Sequence, residues 1–156
     1  MSGTNAGLRI AEDGFAALPA NVNLNAAASG TFVDTGLVLA LPSAGRYHLD
    51  ATVRAFLGTM TTGEGAYIVA RLYDVTAGAV VPDSEVLALQ INVAAGTSPT
   101  LLAWNATAPI QVRYTIPGPR TVRLEAARMT QSGITDGASV VSDVNGRTTL
   151  RYERVA

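Results

Sequence analysis

Arg46-Tyr-His-Leu-Asp-Ala-Thr-Val-Arg-Ala-Phe-Leu57 decides the fold. Tyr47, Leu49, Ala51, Val53, Ala55 and Leu57 share one parity, and Arg46, His48, Asp50, Thr52 and Arg54 share the other. Successive side chains of a strand point to opposite faces, so this period of two predicts a strand with an apolar side and a wet side. Upstream, Leu37, Leu39 and Leu41 alternate with Val38 and Ala40 before the turn Pro42-Ser-Ala-Gly45. Downstream, Gly58 to Gly65 is a loop rich in glycine and threonine, and Ile68, Ala70 and Leu72 form the apolar parity of a strand over 66–75. Further strands are predicted at 86–93, 101–104, 110–116, 121–129, 139–143 and 148–155. Asn105 to Pro109 separates the second of these runs from the third as a loop, and Asn145-Gly146 is predicted as a type I′ hairpin turn. Eight or nine strands at regular spacing, with glycine and proline in the breaks and no amphipathic helix, predict an all-β antiparallel β-sandwich.

Composition agrees with one folded domain. The chain has 156 residues, 48% of them apolar and 15% charged, which is too apolar and too neutral for disorder. A net charge of −1 provides no electrostatic footprint for nucleic acid or an anionic membrane. The absence of cysteine removes disulfides, thiol nucleophiles and thiolate metal sites together. Residues 1–30, with Asn21, Asn23, Asn25 and Ala26-Ala27-Ala28, alternate poorly. They read either as an N-terminal arm anchored by Leu8, Ile10, Phe15 and Leu18, with the strand domain at 31–156, or as an ordinary first strand and loop of that domain.

The strand at 66–75 carries Tyr67, Val69, Arg71 and Tyr73 on the side opposite its core parity. Covering each Tyr or Val contributes roughly 1.5–3 kcal/mol, so this side is expected to be an oligomer interface or to be covered from within the chain.

Thr35-Gly-Leu-Val-Leu-Ala-Leu-Pro-Ser-Ala-Gly-Arg-Tyr-His-Leu49 resembles the signature of the C1q/TNF-like jelly-roll superfamily, with Pro42, Gly45, Tyr47 and Leu49 at the matching positions. Arg120-Thr-Val-Arg-Leu-Glu125 resembles the penultimate strand of that family, with Val122 and Leu124 as its core pair. The aromatic-glycine-aromatic ending of the family is absent, and only Leu150 and Tyr152 fall in register. Phe32-Val-Asp-Thr-Gly36, Ala70-Arg-Leu-Tyr-Asp-Val-Thr76 and Val81-Pro-Asp-Ser-Glu85 resemble phrases in domains of this class from tailed-phage structural proteins. The resemblance implies a homotrimer with one sheet of each subunit facing a threefold axis. It also implies a place in the virion, as a capsid decoration or a short fibre, with the arm docking on other virion proteins. Met1 to Arg9 has no basic start followed by an apolar run, so synthesis in the host cytoplasm without a secretory signal is expected.

Catalytic chemistry finds little to use. His48 is the sole histidine and no Gly-x-Ser-x-Gly elbow accompanies it. A histidine-based zinc site lacks its other ligands. Asp143-Val-Asn-Gly146 lacks the downstream acid of a calcium loop, and Gly63-Glu-Gly65 is too short and acidic for phosphate. Asp50, Asp74, Glu85 and Glu125 stand on or beside strands, but twelve scattered acids place two together by chance. Trp104 beside Asn105 suits either a core position or a platform for host-surface glycan. No enzyme activity, cofactor or metal is expected, and no nucleic acid or membrane as partner. The alternative function is a carbohydrate- or receptor-binding head of a tail fibre.

Overall fold

The computed structural model describes residues 12–60, 62–96 and 101–155. They form an all-β jelly-roll sandwich of two antiparallel sheets, with no helix among the described residues. Sheet A contains β1 (Asp13–Ala17), β2 (Val22–Asn23), β4 (Gly45–Thr59), β8 (Leu102–Ile116), β10 (Gly137–Val140) and β11 (Thr149–Arg154). Sheet B contains β3 (Val33–Leu41), β5 (Gly65–Asp74), β6 (Ala79–Val80), β7 (Val86–Asn92) and β9 (Arg120–Ser132). The strand total exceeds the expected eight or nine because β1, β2 and β6, of five, two and two residues, are too short to leave a period in the sequence, although two of the expected runs merge into β8.

Strand β4 organises sheet A. Its whole length pairs with β8, while its other edge pairs first with β11 and then with β10. Strand β1 lies outside β11 and β2 outside β10. Sheet B runs β3-β9-β5, with β7 and β6 sharing the far edge of β5. The predicted apolar parities meet between the sheets: Tyr47, Leu49, Ala51, Val53, Ala55 and Leu57 face Ile68, Ala70, Leu72, Val122 and Leu124, all at 2% exposure or less. Tyr47 also donates from its hydroxyl to the Ser43 carbonyl at 2.9 Å, which ties the start of β4 to the turn that follows Pro42.

Residues 13–17 and 22–23 lie in sheet A. Leu18 and Leu24 are buried in the core, Leu18 N donates to Thr148 O, and Leu24 N donates to Ala138 O. Phe15 points out of β1 and is 65% exposed, so it does not pack into its own sandwich. Leu8 and Ile10 lie outside the described residues.

Two expectations are corrected. Residues 101–104 and 110–116 are not separate strands, because β8 runs unbroken through Asn105 to Pro109. Proline is tolerated there because β8 pairs with β4 alone, and the position without an N–H lies on an edge strand. The predicted hairpin centred on Asn145-Gly146 is also absent. Asp143 and Gly146 exchange backbone bonds around Val144 and Asn145, Asp143 Oδ1 accepts from Asn145 N, and the strands on either side pair with different stretches of β4. The positive φ required at Asn145 is not adopted; Gly146 alone of the two has one, 148°.

Where β5 ends, Asp74 is fully buried. Its carboxylate accepts from Tyr114 Oη at 2.6 Å and Ala77 N at 2.8 Å, with Arg120 Nε 3.7 Å away. Burial, and then the bond to Asp74, push the Tyr114 hydroxyl from 10.0 up to about 12. The fold therefore prefers the protonated phenol. Its contribution is complete below pH 10 and is lost as pH rises towards 12, about 1–2 kcal/mol after solvent screening. Urea midpoints measured across this range should fall more steeply for the natural chain than for Tyr114→Phe; parallel curves would show the phenol to be uninvolved.

Candidate functional site on the outer face of sheet A

Alternation along each strand sends the even-numbered residues of β4 near His48 and the odd-numbered residues of β1, β8 and β11 away from the core. Pairing then aligns them in rows across the sheet. Asp13, Glu153, His48 and Arg113 stand side by side across β1, β11, β4 and β8; Phe15, Arg151, Asp50 and Gln111 form the next row. Together these rows line a shallow cleft of about 730 Å³.

Its electrostatics are lopsided. Arg151 and Asp50 pair at 3.0 Å in the middle of the face. Toward β1 stand Asp13 and Glu153, and toward β8 stand His48 and Arg113, with Arg46 and Val155 beside them in a smaller depression. None of Asp13, Glu153, Arg46, His48 or Arg113 makes an ion pair with a described residue, whereas neighbouring Arg154 does so with Glu12 at 3.1 Å. An exposed phenylalanine therefore sits beside unpaired acids, across the sheet from unpaired cations. Beneath this face, burial and then the nearby Glu12 push the Tyr152 hydroxyl above its ordinary value.

The outer face of sheet B is built differently. Arg71 stacks over the Phe32 ring, 3.5 Å from its centroid, and pairs with Glu125 at 2.9 Å. Arg123 pairs with Glu125 at 2.6 Å and Asp34 at 3.1 Å, and lies 5.1 Å from the Tyr73 ring centroid. Val69 is buried, while Tyr67, Arg71 and Tyr73 are half-buried. The four residues do share one side of β5, as the parity required, and the side chains around them cover part of it.

Other candidate residues are dispersed. Pro42 is exposed at the turn, Gly45 opens β4, and Val122 and Leu124 are buried in β9. Trp104 faces the sandwich interior and packs on the core. Among the described residues no group of three histidine or acidic side chains could hold a metal ion, and no helix is long and apolar enough to cross a membrane. Asp13, Arg113 and Glu153 escaped the sequence reading: each strand's parity marks a side chain as outward, but only the pairing of distant strands places these beside His48. Ser84 is another buried contributor, accepting from Leu72 N at 3.0 Å and donating to the Val81 carbonyl at 2.7 Å; its place in Val81-Pro-Asp-Ser-Glu85 was the available signal.

No protein-family model matches this chain, and no curated protein matches it. Many solved structures are similar, and two illustrate the likeness. One is the structure of the Gx strain of infectious bursal disease virus, at 17% identity and a TM-score of 0.47, over 94% of this chain and 37% of that one. The other is a mutant VP2 protein of infectious bursal disease virus from derived T=1 particles, at 12% identity and a TM-score of 0.49, over 99% of this chain and 36% of that one. The chain thus spans little more than a third of the length of either.

Proposed function

We propose that this chain is a non-enzymatic structural protein of a tailed-phage virion, a trimeric C1q/TNF-like jelly-roll module that decorates the capsid or forms a short fibre. The observation that carries the reading is the outer face of sheet A, where Phe15 is exposed and charges of opposite sign stand unpaired at opposite sides. A solvated monomer has no use for such a layout, but like copies that cover one another do. The family likeness at Pro42, Gly45, Tyr47 and Leu49 supports the same reading, since Tyr47 and Leu49 are core positions of the strand that organises sheet A. Contact with other virion proteins is assigned to the N-terminal residues, Leu8 and Ile10 among them.

Light scattering of the full chain at micromolar concentration should return about three times its 16.1 kDa mass. A clean monomer would overturn the trimer. Detection in purified particles then separates head from tail.

The cleft also favours a second reading, the carbohydrate- or receptor-binding head of a tail fibre. It places the Phe15 ring among Asp50, Gln111 and Glu153, the mixture of apolar surface and hydrogen-bonding groups that sugars engage. Binding to a glycan array by the assembled protein would favour that reading over decoration.

A further inference from the structure

We infer that the outer face of sheet A is a self-docking surface, on which the Arg46, His48 and Arg113 corner of one copy seats against Asp13 and Glu153 of another and covers Phe15. The inference rests on the assembly reading above and goes beyond it by assigning the contact and its register.

Three observations select a second copy of this chain as the occupant. The first is charge complementarity within one face. The row Asp13–Glu153–His48–Arg113 runs from acid to cation across β1, β11, β4 and β8, with Arg46 extending the cationic end. A neutral glycan satisfies neither end, and a purely anionic ligand satisfies only one. Another copy satisfies both, because every copy brings the missing partner for each end.

The second observation is what the chain does with its other charges. Arg54, Arg71, Arg123, Arg151 and Arg154 all have acidic partners within the subunit, at 2.6–3.1 Å. His48 and Glu153 occupy paired positions on adjacent strands and still make no ion pair. Of the charged and histidine side chains without an ion pair to a described residue, Asp13, Glu153, His48, Arg46 and Arg113 share this face, divided by sign, while Glu64, Asp83, Glu85, Arg128, Asp136 and Arg147 lie outside it.

The third is size. Strands β1, β11, β4 and β8, of 5, 6, 15 and 15 residues with about 3.4 Å rise per residue and about 4.8 Å spacing, give this face an area on the order of 700 Å². A standard stable interface buries about 800 Å² per partner, so the face is of the right order without further elements. Phe15 supplies the aromatic anchor that such contacts centre on, and the charged rows at either side form its rim and set its register.

Charge reversal in the full chain tests this, read by light scattering across a dilution series, with circular dichroism to verify that each variant is folded. Arg113→Glu and Glu153→Arg should each weaken assembly by roughly tenfold or more, and the double variant should recover most of that loss because the two ends remain complementary with signs exchanged. Raising salt to about 0.5 M should weaken the natural assembly but leave its fold intact, which gives a readout independent of substitution. The inference is overturned if wild-type chain assembles and both single reversals leave its mass unchanged. The assembly reading then survives, and the Tyr67–Tyr73 side of sheet B becomes the contact, to be seen as dissociation of the Tyr67→Ser, Tyr73→Ser double variant. It is also overturned if each reversal dissociates the protein and the double variant does not recover. A wild-type chain that is monomeric at every concentration defeats both this inference and the assembly reading. Twice the chain mass, with recovery by the double variant, supports the surface while replacing the threefold arrangement with a twofold one.

Discussion

Asp74→Ala is expected to destabilise the domain by about 3–5 kcal/mol, the range for removing one partner from a buried charged network. The carboxylate is fully buried, and three elements converge on it. Ala77 N fixes the turn after β5, Tyr114 Oη comes from β8, and Arg120 stands at the start of β9. Alanine leaves the Tyr114 phenol without its acceptor and the Arg120 guanidinium without its counter-ion. It also frees the turn that sets the approach of β6. Removing only the Tyr114 hydroxyl deletes one bond and spares the charge pair, so Tyr114→Phe should cost about 1–2 kcal/mol. Urea denaturation of both variants checks the ranking. A loss under about 1 kcal/mol for Asp74→Ala would mean that the junction of β5, β8 and β9 is held by packing alone.

Gly14→Leu should cost about 2–3 kcal/mol and loosen β1 from the sheet. Gly14 pairs with Tyr152, and a Cβ built at Gly14 overlaps the Tyr152 ring. That ring has nowhere to retreat. It is 8% exposed and packs edge-on against Tyr47, with ring centroids 5.4 Å apart, and Tyr47 is itself bonded to Ser43. The expected relief is a strand that moves away, and with it Asp13 and Phe15, so assembly should weaken along with stability. Adding Tyr152→Ala to Gly14→Leu should return part of both, because the clash is with that ring. If Gly14→Leu alone melts like the natural protein, β1 is not packed as tightly against β11 as described.

The sequence made the inner side of the sandwich legible. Tyr47 to Leu57 and Ile68 to Leu72 alternate strictly because each strand has the core on one side and solvent or a thin cover on the other, and period two records that difference. Pairing leaves no such trace. Asp13 and Glu153 are 140 positions apart in the chain yet adjacent in the sheet, and no local pattern in either strand announces the other. The continuity of β8 was hidden for a related reason: Pro109 ends a strand by local rules, and the edge position that excuses it is a property of the whole sheet. Residues 13–24 were ambiguous because strands of five and two residues are shorter than the stretch over which alternation can be recognised.

Pro109 has one more consequence. Strand β8 presents 15 residues of sheet margin to the outside, long enough to template runaway strand addition between neighbours crowded together. An imino acid halfway along interrupts the ladder of amides that such zippering would need. Copies held at high density are thereby steered away from fibrous precipitation, and side-chain shape and sign are left as the means by which one molecule distinguishes a proper neighbour from a wrong one.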